Sequence, residues 1–415
     1  MVYQPPVGAR DLFPLDVAQK RWIEDRLQQV FHRWGYHRII TPTLERVDTL
    51  MAGGAIEPST VIQLQDRDGE FLGLRPELTA SIARAAVTRL AGVPYPQRLY
   101  YNANVFRQTE HGSTRQHEFY QAGVELIGAG SVAADAEILL LLLEGLDNLG
   151  LNDSTVIVGE AGLTRSLLSV FPVALRPAVR QAIAHLDRIG LEALPLSAEQ
   201  RERALLLLDL RGQPMDVLQQ VSALELEDEQ RATVNRLKAL IDLLQTTPSQ
   251  TTADPEAESG KASPRLILDL SLIQTFDYYT GIVFEAVSAS GQQVLGQGGR
   301  YDQLLGLYHP QGESQPGIGF VLNIESLHQS LLPTGCLPSQ TPASDWLVVP
   351  TASDAHTAAF AHAQTLRCAA DLVRVEVELG DRSTPEEIRH YAQRRKIKQI
   401  VWVDAAGKTE TEAVS

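Results

Sequence analysis

The chain has 415 residues, 44% of them apolar and 21% charged, which suits two or three ordinary globular domains and excludes collagen-like or disordered character. Its 36 basic against 51 acidic residues leave a net charge of −15. That field repels phosphate backbones, so nucleic-acid binding could survive only through a local basic patch.

Residues 16–34 read as an amphipathic helix, because Ile23, Leu27, Val30, Phe31 and Trp34 recur at three-to-four spacing, and Gly35 ends it. Tyr36 to Leu44 is β-prone around Ile39 and Ile40, with Pro42 marking an edge or interrupted strand. Pro76 and Thr79 open a helix that runs through Ser81–Leu90. Leu99–Arg107 and His117–Gly128 turn to strand character and form a hairpin with a long polar loop around Glu110–Thr114.

Helical text fills Asp135–Leu149. Further helices over about 164–245, rich in Leu, Ala, Glu and Arg, read as an insertion. Residues 246–264 are rich in Thr, Ser, Pro and acid without apolar periodicity, and predict a flexible loop. Strands are expected at Arg265–Ser271 and Gly281–Val287. A linker over 333–344 then leads to a small α/β module over 345–415 with strands at Trp346–Val349, Val373–Leu379 and Ile397–Val403 and helices over 354–369 and 384–395.

On the strand His117–Gly128 side chains alternate, so Phe119, Gln121, Gly123 and Glu125 share one face while Tyr120, Ala122, Val124 and Leu126 share the other. The second face is core. The first sets an amide and a carboxylate either side of a glycine, room for a small polar ligand or merely a solvent-facing strand. Gly296–Asp302 (GQGGRYD) reads as a glycine-rich turn whose backbone amides could cradle an anion, though no G-K-[ST] follows. Arg107 would place a cation at the mouth of the same cleft, or serve as a solvated edge charge.

No metal-binding constellation forms among the ten histidines, and no nucleophile elbow is present, so neither a metal nor a cofactor is expected. Cys336 and Cys368 lie far apart and read as reduced thiols. The N-terminal MVYQPPVGARDLFP lacks a secretory apolar core. The longest apolar run, Ile138 to Leu143, falls well short of the about twenty residues of a membrane span. A soluble, cytoplasmic chain is expected. Arg394, Arg395, Lys396 and Lys398 form the best basic patch, at a helix end where cations complement the dipole.

In this order, GARDLFP (8–14), TPTLE (41–45), LRPELTA (74–80), VFRQTE (105–110), HEFYQAGVELIG (117–128), DYYTGIVFE (277–285), GQGGRYDQLLG (296–306) and PGIGFVLNIESL (316–327) resemble the catalytic core of histidyl-tRNA synthetases. The resemblance covers about three quarters of the chain. It implies an α+β, class II aminoacyl-tRNA synthetase-like fold, with an antiparallel sheet flanked by helices, and a pocket for histidine. In that pocket Glu77 and Thr79 would meet the α-amino group, Gln121 would lie near the ligand's backbone end, and Glu125, Tyr279 and Tyr301 would grip the imidazole. Arg107 and Arg300 are candidate anion contacts.

Two departures separate the chain from the synthetases. Where the family has L-V-R-G-L-D-Y-Y this chain has Leu272-Ile273-Gln274-Thr275-Phe276-Asp277-Tyr278-Tyr279, so Gln274 replaces the catalytic arginine. Where the third motif ends G-x-E-R, it has Asn323-Ile324-Glu325-Ser326, and a second arginine is lost. Fixed cations aimed at the developing phosphoryl charge are the main source of adenylation rate, each worth about 2.7–4 kcal/mol, so losing two slows the reaction by about 10⁴–10⁶-fold. No catalytic residue is therefore assigned.

The last module looks like a shortened anticodon-binding domain. Its nine basic and eleven acidic residues over 343–415 equip it poorly for tRNA. A synthetase-like chain that keeps its amino-acid pocket but loses both arginines is similar to the regulatory subunits of ATP phosphoribosyltransferase. That resemblance implies a non-catalytic role, with a short-form catalytic subunit as partner that depends on this chain for activity and for feedback inhibition by histidine, self-dimers and a hetero-octamer, in the first step of histidine biosynthesis. A working histidyl-tRNA synthetase and an RNA-binding translational regulator are the alternatives.

Overall fold

A computed structural model describes residues 4–54, 56–108, 116–247, 266–272, 278–369, 372–380, 382 and 384–414. They divide into two units, 1–337 and 338–415.

The first unit is built on a nine-stranded sheet. Its strands are β1 (His37–Arg38), β2 (Gln97–Phe106), β3 (Glu118–Ile127), β4 (Thr155–Glu160), β5 (Arg211–Gly212), β6 (Leu266–Asp269), β7 (Ile282–Val287), β8 (Val294–Arg300) and β9 (Gly317–Asn323). They lie in the order β1-β2-β3-β9-β8-β7-β4-β6-β5. Pairing is antiparallel except at β1 with β2 and β4 with β6. The β-prone stretch after the first helix yields only β1 at the sheet edge and Leu44–Arg46 in a separate three-stranded sheet with Gln63–Gln65 and Phe71–Leu74. The interruption falls around Pro42, which has no N–H for a ladder.

The helix Pro14–Arg33 opens with proline at its first turn, and the Asp16 carboxylate accepts the Phe13 N–H at 2.9 Å. Ile23, Leu27, Val30 and Phe31 are at most 1% exposed, and this stripe packs on the helix Val132–Asn148 over one face of the sheet. Each such side chain contributes roughly 1.5–3 kcal/mol by leaving water. From β3 the same core receives Ala122, Val124 and Leu126, as alternation requires.

Three elements of this unit depart from the sequence reading. Residues 155–160 form an interior strand where no strand was expected, and the helix-rich stretch after it contributes β5, an edge strand paired with β6. Around β5 lie the helices Ala161–Leu168, Arg176–Ala184, Arg188–Ala193, Ala198–Asp209, Pro214–Ser222 and Asp228–Thr246. The glycine-rich Gly296–Gly299 is also no turn: it lies within β8, paired on both sides, with Gly298 opposite Phe284 and Phe320.

The second unit carries a four-stranded sheet in the order Val375–Val377, Trp346–Pro350, Gln399–Val403 and Thr409–Ala413, flanked by helices His356–Ala369 and Pro385–Arg395. The first three strands are parallel and the last, unforeseen from sequence, is antiparallel. Lys396 caps the second helix in the left-handed conformation, while Arg395 lies 3.6 Å from Glu376 and Lys398 2.7 Å from Asp345, so this basic run is partly neutralised in place. Among the described residues no helix is long and apolar enough to cross a membrane.

Candidate functional site

The face of β3 that carries Gln121 and Glu125 forms the site. Gln121 and Glu125 are 5% and 2% exposed, so the solvent-facing alternative for this face is excluded. Both line a cleft with Glu77, Thr79, Tyr279, Tyr301 and Arg107. The fold thus brings together seven of the residues singled out from sequence, drawn from the start of the helix Thr79–Val87, from the end of β2, from β3, from the segment before β7 and from the end of β8.

Glu77 holds the helix start. Its carboxylate accepts the N–H of Thr79 at 2.6 Å and of Ala80 at 2.9 Å, two of the donors a helix leaves orphaned. Burial raises the Glu77 pKa, against these hydrogen bonds and the charge of Arg107. The Thr79 hydroxyl donates to Glu125 Oε1 at 2.8 Å, and the Tyr301 hydroxyl donates to Glu125 Oε2. Burial pushes Glu125 up to about 8 despite these two donors, and the negative charge of Glu77 adds to the rise. The Gln121 amide has no hydrogen-bond partner among the described residues and so can serve a ligand. Arg107 donates from Nε to the Pro76 carbonyl at 2.8 Å, which fixes its guanidinium beside Glu77.

Close approach explains the glycines of the cleft floor. A Cβ on Gly319 would collide with the Glu125 carboxylate and the Val124 carbonyl, and one on Gly317 would enter the Tyr301 ring. The missing side chains are the space these two residues occupy.

Several cleft residues escaped the sequence reading: Tyr101, Tyr278 and Gln297 also line it. The Tyr278 ring lies 4.6 Å from Tyr279 and 6.0 Å from Tyr301 between centroids. A usable signal for Tyr101 was Gly123, which sits directly opposite it in the β2–β3 register and leaves room for its ring.

Arg300 requires a correction. As an anion contact it fails, because it is 2% exposed and points to the other side of the sheet. Its guanidinium is engaged by Asp135 Oδ1 at 2.5 and 2.8 Å, by Asp302 at 3.0 Å and by the Ala129 carbonyl at 3.1 Å. Ser326 sits in the first turn of the helix Ile324–Leu331, where its N–H donates to Asn323 Oδ1 at 2.9 Å. Gln274 and most of the expected 246–264 loop lie outside the described residues. Among the described residues no three His, Cys, Asp or Glu side chains converge as metal ligands.

The arrangement offers two carboxylates, two amides and four tyrosine rings, with one guanidinium among the described cleft-lining residues. That is a set for recognising a small polar molecule carrying N–H donors.

The profile of the histidyl-tRNA synthetase family matches residues 8–327. Over full length the chain is 63% identical to an ATP phosphoribosyltransferase regulatory subunit from Trichormus variabilis and 64% identical to one from a Nostoc species, each covering 100% of both chains. The chain belongs to the family of ATP phosphoribosyltransferase regulatory subunits. This histidyl-tRNA synthetase-like family carries a class II fold, and the solved structures agree. An ATP phosphoribosyltransferase regulatory subunit/histidyl-tRNA synthetase from Bacillus halodurans superposes with a TM-score of 0.80 at 27% identity, covering 97% of this chain and 99% of that one. A histidyl-tRNA synthetase from a Nostoc species, 20% identical and covering 99% and 97%, shares the fold with a TM-score of 0.77.

Proposed function

We propose that this chain is a non-catalytic regulatory subunit that binds histidine in the cleft and adjusts a short-form ATP phosphoribosyltransferase in the first step of histidine biosynthesis. The single observation that carries the reading is Glu125, a buried carboxylate oriented by Thr79 and Tyr301 on the floor of a synthetase-like fold. It is suited to accept an imidazole N–H. The Glu77 carboxylate and the Thr79 hydroxyl meet the α-ammonium group, Gln121 takes the ligand's backbone end, and Tyr279 and Tyr301 bound the ring. Arg107, beside Glu77, faces the ligand carboxylate.

Adenylation is lost on this reading because Gln274 and Ser326 stand where the synthetases hold arginines. Binding persists without those cations, since they serve the transition state and not the amino acid. Self-dimerisation, the step toward a hetero-octamer in the cytoplasm, belongs to this reading through the family resemblance alone. Histidine regulates only through different affinities for two states of the assembly.

The test is reconstitution. The full chain, mixed with a short-form phosphoribosyltransferase, is expected to co-purify with it, to raise its turnover and to make it sensitive to histidine. Histidine-dependent exchange of labelled pyrophosphate into ATP is expected at background. Exchange at ordinary synthetase rates, or an indifferent partner, defeats the reading.

A further inference from the structure

A second cavity, of ≈ 270 Å³, lies on the opposite side of the sheet, between the helices Val132–Asn148, Ala161–Leu168 and Asp228–Thr246 and the adjoining ends of β7 and β8. It is larger than a packing defect and its wall is polar where the core around it is not. Asp135 and Glu160 are 4% and 5% exposed, and each spends only one carboxylate oxygen on protein. Asp135 Oδ1 takes both hydrogen bonds from Arg300, and Glu160 Oε2 accepts the Leu163 N–H. Asp135 Oδ2 and Glu160 Oε1 have no hydrogen-bond partner among the described residues.

Neither oxygen is sealed from solvent, so each is open to a donor that enters the cavity. Arg300 cannot be that donor for Glu160, because its fork is held by Asp135, Asp302 and the Ala129 carbonyl. Arg236, at the exposed rim, spends one N–H on the Gly130 carbonyl at 3.5 Å. With Glu229 and Asp302, four carboxylates face two guanidinium groups around this space. Leu163, Leu237, Leu240 and Ile282 supply an apolar wall. No three metal-ligating side chains converge among the described residues, so the donor set suits an organic cation.

We propose that this cavity is a binding site for a small molecule bearing a primary ammonium group on a short aliphatic chain. The ammonium donates to Glu160 Oε1 and Asp135 Oδ2, its three N–H groups matching acceptors that the fold leaves open. The chain lies along the leucines, and the rim guanidinium of Arg236 accommodates a carboxylate where the ligand is an amino acid.

Calorimetric titration of the full chain with putrescine and, separately, with lysine tests this. Saturable binding of one molecule per chain is expected for at least one of them. Putrescine alone identifies a free amine as the ligand class, and lysine alone an amino acid held through Arg236. Glu160→Gln keeps the carbonyl that caps Leu163 but removes the charge, and is expected to weaken binding roughly ten- to hundredfold. Thr233→Arg, at a half-buried position lining the cavity, sets a competing cation in it and is expected to abolish binding while leaving circular dichroism unchanged. No saturable heat with either probe, or equal affinity in wild type and both folded variants, overturns the proposal.

Discussion

Arg300 and Tyr301 are consecutive in the chain and serve opposite faces of one sheet: the Tyr301 hydroxyl reaches Glu125 in the cleft, while the Arg300 guanidinium is clamped by Asp135 on the far side. β8 ends at this point, and the alternation of an extended chain sends the two side chains apart. The cleft and the buried ion pair therefore share a backbone.

The ion pair is a stability element. Arg300→Met removes one partner and leaves Asp135 as an uncompensated buried carboxylate, which is expected to cost about 3–5 kcal/mol. Urea unfolding should show the loss as a lower midpoint, and an unchanged midpoint would contradict the role.

Tyr301 has a narrower task. Tyr301→Phe keeps the ring against Tyr278 but removes the hydroxyl that donates to Glu125. Histidine affinity, measured by calorimetry, is expected to fall by roughly tenfold, since a mispositioned acceptor costs about 1–2 kcal/mol. The Glu125 pKa rises further, because a donor that favours the ionised form is gone.

Stability should depend on pH through Glu125. Its folded pKa is raised from 4.5 to about 8, so the native state holds a proton that the unfolded chain has released across that window. The stabilising contribution is complete below about 4.5 and is lost as pH climbs through about 8. Glu160, raised to about 6, acts in the same sense over a lower range, so the Glu125 part is the difference between wild type and Glu125→Gln. Thermal melts should show the wild type losing more than the variant between pH 6 and 9.

Gly319 is expected to tolerate no side chain. Gly319→Ala brings a methyl into the Glu125 carboxylate and the Val124 carbonyl, and the second of these is backbone that cannot swing aside. Overpacking of this kind costs about 1–3 kcal/mol. Calorimetry should record no heat with histidine even where circular dichroism reports a folded chain.

Much of the site could be read without coordinates. The two-residue period of 117–128 separates Gln121 and Glu125 from Val124 and Leu126, and the cleft and core receive them accordingly. Periodicity works there because every position carries a side chain whose polarity marks its face. Gly296–Gly299 carries almost none, so its strand state was illegible: glycines signal a turn or a strand under something bulky, and only the packed tyrosines and Phe284 tell which.

Local pattern, then, determined the helices, the hairpin strands and the polar face of β3, because these follow from spacing along one segment. Tertiary structure alone decided that Arg300 leaves the cleft for Asp135, that Gln297 enters it, and that a second polar cavity lies behind the sheet. Each depends on residues far apart in sequence meeting across a strand register, and no short-range pattern encodes that meeting.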